Sequence, residues 1–159
     1  MKTRKIALLT LLAALLLVPR LAPSLPAPPN PSAAVDPQAP PADADHFLRD
    51  HYTNKWMKMD SQLIPIVVAA ATHFHVDIAY IVSAFRHPKF NLVLRKKGHQ
   101  VARDSQHTHG NAIDFYLPTV TTEQLRAWAK AQKIGGVGLY LESKFVHMDT
   151  GPIRFWSGD

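Results

Sequence analysis

The stretch Ser105-Gln-His107-Thr-His109-Gly110-Asn-Ala112-Ile-Asp114-Phe115 places an imidazole and a carboxylate seven positions apart. On a helix the two would share a face but lie about 10.5 Å apart along the axis, too far for one ion. A loop that reverses at Gly110 and runs into a strand gives a different result. Ala112 and Asp114 then share one face, Ile113 and Phe115 take the other, and His107 folds back toward Asp114. Taken alone, Asp114 is equally suited to accept backbone or arginine hydrogen bonds. A second stretch, Lys144-Phe-Val-His147-Met-Asp149-Thr-Gly151, sets His147 and Asp149 at strand parity, on the face of Phe145 and opposite Val146 and Met148. Two histidines and one aspartate supply three N/O ligands and leave a fourth position for water, the composition of a catalytic rather than a structural zinc site. Asp149 then has three readings: a general base beside that water, a carboxylate that orients a ligand histidine, or a turn acid before Thr150-Gly151.

Composition narrows the chemistry by exclusion. The chain has nine histidines and no cysteine, which removes disulfides, thiolate-ligated zinc, iron–sulfur clusters, thiol catalysis and a lipid-modified N-terminal cysteine. Any metal site must be built from His, Asp and Glu. The formal charge of +6 overstates the basicity of the folded part, because Lys2, Arg4, Lys5 and Arg20 lie in the first 44 residues. One run, Arg95, Lys96, Lys97 and Arg103, suits either a solvated loop face or an anionic polymer.

The elements that must position these groups are readable in outline. Residues 1–18 join a cationic start to a charge-free apolar run, the pattern of an export signal. Thirteen residues at about 1.5 Å each fall short of a bilayer core of roughly 30 Å. If uncut, this segment would give transient membrane anchoring. Nine prolines fall in residues 19–44, which reads as a spacer outside the core and leaves 45–159 as one domain. Asp60-Ser61 caps an apolar helix to about Phe74, residues 78–86 form a buried strand stopped by Pro88, and 88–96 are helical. Residues 97–110 are a loop, 112–117 a second strand, and 121–132 a helix whose Thr121 and Gln124 are spaced for a capping box. Residues 137–141 and 145–149 make a hairpin. Segregated helices and mostly antiparallel strands argue an α+β fold.

Taken together, Ser83-Ala-Phe-Arg86, Ser105-x-His107-x-x-Gly110-x-Ala112-x-Asp114-Phe115, Gly138-x-Tyr140 and Phe145-Val-His147-x-Asp149-Thr-Gly151 resemble the MepK-like murein endopeptidase branch of the zinc D-Ala-D-Ala peptidases related to VanX. The match runs through most of residues 60–156. The resemblance implies a hedgehog/DD-peptidase α+β fold with a central antiparallel sheet and flanking helices, and a Zn2+ cofactor held by His107, Asp114 and His147. It implies that Arg86 is a catalytic cation facing the developing oxyanion or a substrate carboxylate, where the residue by itself suits an ion pair with Asp104 or Asp114 equally well. Ser83 and His109 are the candidate substrate contacts, with His109, on the turn beside Gly110, also open as a competing ligand. Ser83 and Ser105 orient groups rather than attack, since neither has a His/Asp relay.

One departure concerns the base. Many VanX-like relatives carry an acid three positions before the last zinc histidine, where this chain has Lys144, and Glu142 is two residues out of register. The MepK-like branch has the H-x-D form, which makes Asp149 the candidate base. The remaining histidines have bland expectations: His73 and His75 close a helix, His87 precedes Pro88, and His46, His51 and His99 are surface.

These readings converge on an exported hydrolase of the periplasm or cell envelope that cleaves peptide cross-links in peptidoglycan, with carboxylate-rich stem peptides as its partners. A D-Ala-D-Ala carboxypeptidase or dipeptidase on the same scaffold is the nearest alternative. A non-catalytic, zinc-stabilised wall-binding module is another, kept open by Lys144. Nucleic acid is disfavoured by the export signal and by aromatics that do not interleave with the basic residues.

Overall fold

A computed structural model describes residues 31–98 and 101–158. The export segment 1–18, the start of the proline-rich stretch and His99 lie outside the described residues. The elements run β1 (Ala33–Val35), α1 (Ala44–Phe47), α2 (Leu63–His73), β2 (Ala79–Ser83), α3 (Pro88–Lys96), a 3₁₀ turn (Gln106–His109), β3 (Ala112–Tyr116), α4 (Thr122–Gln132), β4 (Gly136–Tyr140), β5 (Phe145–Asp149) and β6 (Arg154–Gly158). The six strands form one sheet in the order β1-β2-β3-β5-β4-β6. This is an α+β fold.

Strand alternation divides the sheet into two faces. On one, Ile81, Ile113, Phe115, Val137, Val146 and Met148 are buried where α2 and α4 pack against the sheet. α2 buries Leu63, Ile64, Ile66, Val67, Ala70 and Ala71 there. α4 contributes Leu125 and Ala129 and starts with the expected capping box, Thr121 Oγ1 accepting from Gln124 N–H while Gln124 Oε1 accepts from Thr121 N–H. The opposite face carries the polar side chains, and Phe90 and Leu94 of α3 together with Val101, Ala102 and Ser105 line the cavity on that side.

Three features differ from the sequence reading. The proline-rich stretch is not wholly a spacer: Ala33–Val35 pairs antiparallel with β2, and Val35 is 1% exposed in the core. The three paired residues are free of proline, and an edge strand tolerates prolines at its ends. The sheet is mixed rather than purely antiparallel, because β6, unforeseen, runs parallel to β4. Finally, α2 begins at Leu63 with Gln62 as its cap residue and no side-chain cap bond there. Asp60 instead accepts from Gln62 N–H with one oxygen and from Thr150 Oγ1 with the other, tying α2 to the end of β5.

Candidate metal centre

β3 and β5 lie side by side with Asp114 opposite His147 and Ala112 opposite Asp149, so the two strands deliver their polar residues to one face in register. His107 comes from the 3₁₀ turn. Gly110 ends that turn with φ +73°, and a Cβ there would stand 2.7 Å from the carbonyl oxygen of Lys58. The reversal that returns His107 toward Asp114 therefore needs glycine on both counts. Register between β2 and β3 slips between Ile81 and Ser83. This bulge sets Ser83 opposite Asp114 and sends the chain on to Arg86.

His107, Asp114 and His147, all buried, are the one group of three metal-capable side chains that converges among the described residues. Nε2 of His107 lies 3.1 Å from Nδ1 of His147 and 3.1 Å from Oδ1 of Asp114, and that oxygen is 2.8 Å from Nδ1 of His147. The carbonyl of Ala84 takes the Nδ1 proton of His107 at 2.6 Å, so Nε2 presents a lone pair to a carboxylate. Two acceptors held this close need a positive centre between them, either the Nδ1 proton of a charged His147 or a metal ion that takes its place. Tetrahedral zinc ligands at about 2.0–2.1 Å stand roughly 3.3–3.4 Å from one another, so the observed triangle has to open by only a few tenths of an ångström. The donor set and its spacing fit a metal ion.

The charges around the triangle point the same way. Burial pushes His107 below the ordinary histidine pKa, against the attraction of Asp114. Burial also opposes protonation of His147, but the hydrogen bonds it donates to Asp114 and Asp149 outweigh it and raise that group. Both carboxylates are held well below their usual range despite their burial, Asp114 by the two histidines and Asp149 by His147 and Arg154. Asp114 is thus anionic at neutral pH, as a ligand must be.

A cavity of about 540 Å3 opens on the triangle; its lining includes Ser83, Arg86, Phe90, Asp104, Tyr140 and Trp156. Arg86 is 8% exposed. Its Nη2 stands 3.6 Å from Oδ2 of Asp114 and donates to Ser83 Oγ at 3.4 Å, while its Nε is buried with no partner among the described residues. The guanidinium is anchored by the ion pair and keeps a spare donor. His109 falls outside the cavity lining and pairs instead with Asp104, which does line it. Lys144 also falls outside it, and Ser143 stands at the rim.

Asp149 does not have the setting of a base. It is fully buried, does not line the cavity, and both its oxygens are engaged. Oδ1 accepts from the backbone N–H groups of Gly136 and Gly151 at 3.0 and 2.9 Å, and Oδ2 faces Nε2–H of His147 at 2.9 Å. Arg154 donates to both oxygens. Of the three readings open in the sequence, the geometry favours the carboxylate that orients a ligand histidine. Sequence reasoning also missed Arg154 and Trp156, which reach the site from β6. Their signal was the small residues Gly136 and Gly138 at two-residue spacing on β4.

A peptidase M15 family profile described as peptidoglycan L,D-endopeptidase MepK matches residues 38–156. The probable peptidoglycan L,D-endopeptidase MepK of Haemophilus influenzae is 35% identical over 116 residues, covering 72% of this chain and 62% of that protein. The peptidoglycan L,D-endopeptidase MepK of Escherichia coli K12 is 36% identical over 119 residues, covering 72% of this chain and 64% of that protein. The chain thus spans a little under two thirds of the length of these relatives. No solved structure matches it significantly.

Proposed function

We propose, because the chain belongs to the peptidoglycan L,D-endopeptidase MepK family, that it is a zinc metallopeptidase hydrolysing peptide cross-links of peptidoglycan in the periplasm or cell envelope. The observation that carries the proposal is the convergence of His107 Nε2, His147 Nδ1 and Asp114 Oδ1 at the floor of a cavity that also exposes Arg86. The order of elements supports assignment to the hedgehog/DD-peptidase fold, and the N-terminal apolar run supports export, with anchoring if it is retained.

A zinc ion, when bound by these three side chains, supplies Lewis acidity toward the scissile carbonyl and makes a nucleophilic water available near neutral pH. Arg86, whose side chain lines the cavity, binds the carbonyl oxygen as negative charge develops there. Ser83 steadies that guanidinium at 3.4 Å, and its hydroxyl at the cavity wall contacts the substrate backbone. His109 acts one step removed, holding Asp104 at the mouth. Asp149 keeps a proton on Nε2 of His147 so that Nδ1 faces the ligand triangle. Tyr140 and Trp156, joined by an N–H···O bond of 3.2 Å, give the stem peptide a flat wall.

The test is digestion of intact sacculi by the purified chain, with and without chelator, followed by mass spectrometry of the muropeptides. Zinc-dependent loss of cross-linked dimers is expected. Loss of terminal D-Ala alone would make the chain a carboxypeptidase, and binding to sacculi without any cleavage would make it a wall-binding module. Arg86→Ala should retain zinc and lose roughly 10²–10³-fold in turnover.

A further inference from the structure

β6 does more than close the sheet. It lays Arg154 beside Gly136 and Trp156 beside Gly138. A Cβ on Gly136 would stand 2.5 Å from Oδ2 of Asp149 and 2.6 Å from Nη1 of Arg154, and one on Gly138 would stand 2.6 Å from the Trp156 ring. The two glycines are therefore notches on the site face of β4, each shaped to a β6 side chain. In the first notch the Arg154 guanidinium forms a fork: Nη1 donates to Oδ1 of Asp149 at 3.1 Å and Nη2 to Oδ2 at 2.7 Å. Nη1 also donates to the Pro152 carbonyl at 3.0 Å, and Cζ lies 5.0 Å from the centroid of the Trp156 ring. The arginine is gripped on three sides although its side chain remains 43% exposed.

We propose that Arg154 is a positioning residue for the metal centre, acting through Asp149 on His147. The inference rests on the zinc-site reading above. A carboxylate can rotate about its terminal torsion, and a lone imidazole has two tautomers. The planar fork of a guanidinium fixes the first, and a fixed carboxylate accepting from Nε2–H fixes the second. A lysine would supply the charge without the fork. Asp149 alone, fully buried, would be a charge with only backbone donors and one imidazole to compensate it. The H-x-D motif is thus incomplete as a ligand-orienting device, and the chain completes it from a strand that follows, through the gap left by Gly136.

Zinc affinity of the full chain, measured by competition with a chromophoric chelator, tests this, together with ¹⁵N spectra of the histidine rings in the zinc-loaded state. Arg154→Met should bind zinc about 10–100-fold more weakly and shift the His147 ring nitrogens, with Arg154→Lys between it and the wild type. Gly136→Ala retains every charged group yet fills the notch, so it should resemble Arg154→Met and serves where that variant fails to fold. Folded Gly136→Ala and Arg154→Lys chains with zinc affinity within twofold of wild type and unchanged ring signals would overturn the proposal. So would unchanged affinity with a raised KM, which would make Arg154 a substrate contact. A wild-type chain that binds no zinc overturns the metal reading itself, and this proposal with it.

Discussion

On β3, Ile113 and Phe115 point toward α2 and α4, while Ala112 and Asp114, one residue away in each case, point toward the metal triangle; β5 repeats the division with Val146 and Met148 against His147 and Asp149. Burial does not separate the two sets, since Phe115 and Asp149 are both 0% exposed. What differs is the force that makes burial tolerable. One side is held by apolar contact, which is non-directional and forgiving of small shifts. The other is held by charge-assisted hydrogen bonds that need every partner in place. The apolar core and the candidate metal centre are thus separated by a single step of strand alternation, and a one-residue slip of either strand would exchange them.

The sharpest way to break that comparison is one substitution on each side of β3. Asp114→Asn keeps shape and volume but replaces an anionic ligand with a neutral amide. Cross-link hydrolysis should fall by about 10³-fold or more, with the chain still folded by circular dichroism. Phe115→Ala should cost about 3–5 kcal/mol of unfolding free energy, read from urea midpoints, while the folded fraction binds zinc normally. If Phe115→Ala weakened zinc binding in the folded state as much as Asp114→Asn does, the faces would be one coupled unit and the division would fail.

A smaller effect separates the faces by pH. Burial holds His107 below the ordinary value of about 6.5, so the unfolded chain takes up a proton that the folded one refuses, and stability is lost as pH falls below that value. His147 behaves oppositely. Its folded value is raised, so its contribution is complete below about 6.5 and is lost as pH climbs through the raised value. The metal-free chain should therefore be most stable near pH 6.5, with a further loss in acid as Asp114 and Asp149 are forced to protonate. A bound metal takes the place of the proton on His147, so the loaded chain should lose the decline above neutrality. Urea midpoints from pH 5 to 9, with and without chelator, measure both curves; a metal-free midpoint that rises steadily across the range would contradict the assignment.

The apolar face and the convergence of His107, Asp114 and His147 were legible in the sequence because both depend on local rules. Parity assigned Asp114, His147 and Asp149 to one face, and Gly110 marked the reversal that His107 needs. Depth and long-range pairing were not legible. Parity cannot tell that both oxygens of Asp149 are engaged, because two of its partners, Gly136 and Arg154, come from outside the motif. β6 is parallel to β4, so no hairpin signal announces it, and β1 is three residues among prolines. The bulge at Val82 leaves no mark in composition, yet it decides that Ser83 rather than Val82 lies opposite Asp114.

The mildest prediction lies farthest from the site. Thr121 and Gln124 exchange hydrogen bonds at the start of α4, at 3.2 and 3.0 Å, and α4 buries Leu125 and Ala129 on the apolar side. Thr121→Ala removes the acceptor for one helix N–H and should cost about 0.5–2 kcal/mol. That loss should appear as an equal drop of the urea midpoint at every pH from 5 to 9, because no titrating group of the triangle touches the cap. Zinc affinity should stay within twofold of wild type. The same cost with an altered pH profile would mean that α4 transmits strain through β4 and β5 to His147. Helix and metal would then be coupled through the sheet, and alternation would separate the chemistry of its two faces without separating their energetics.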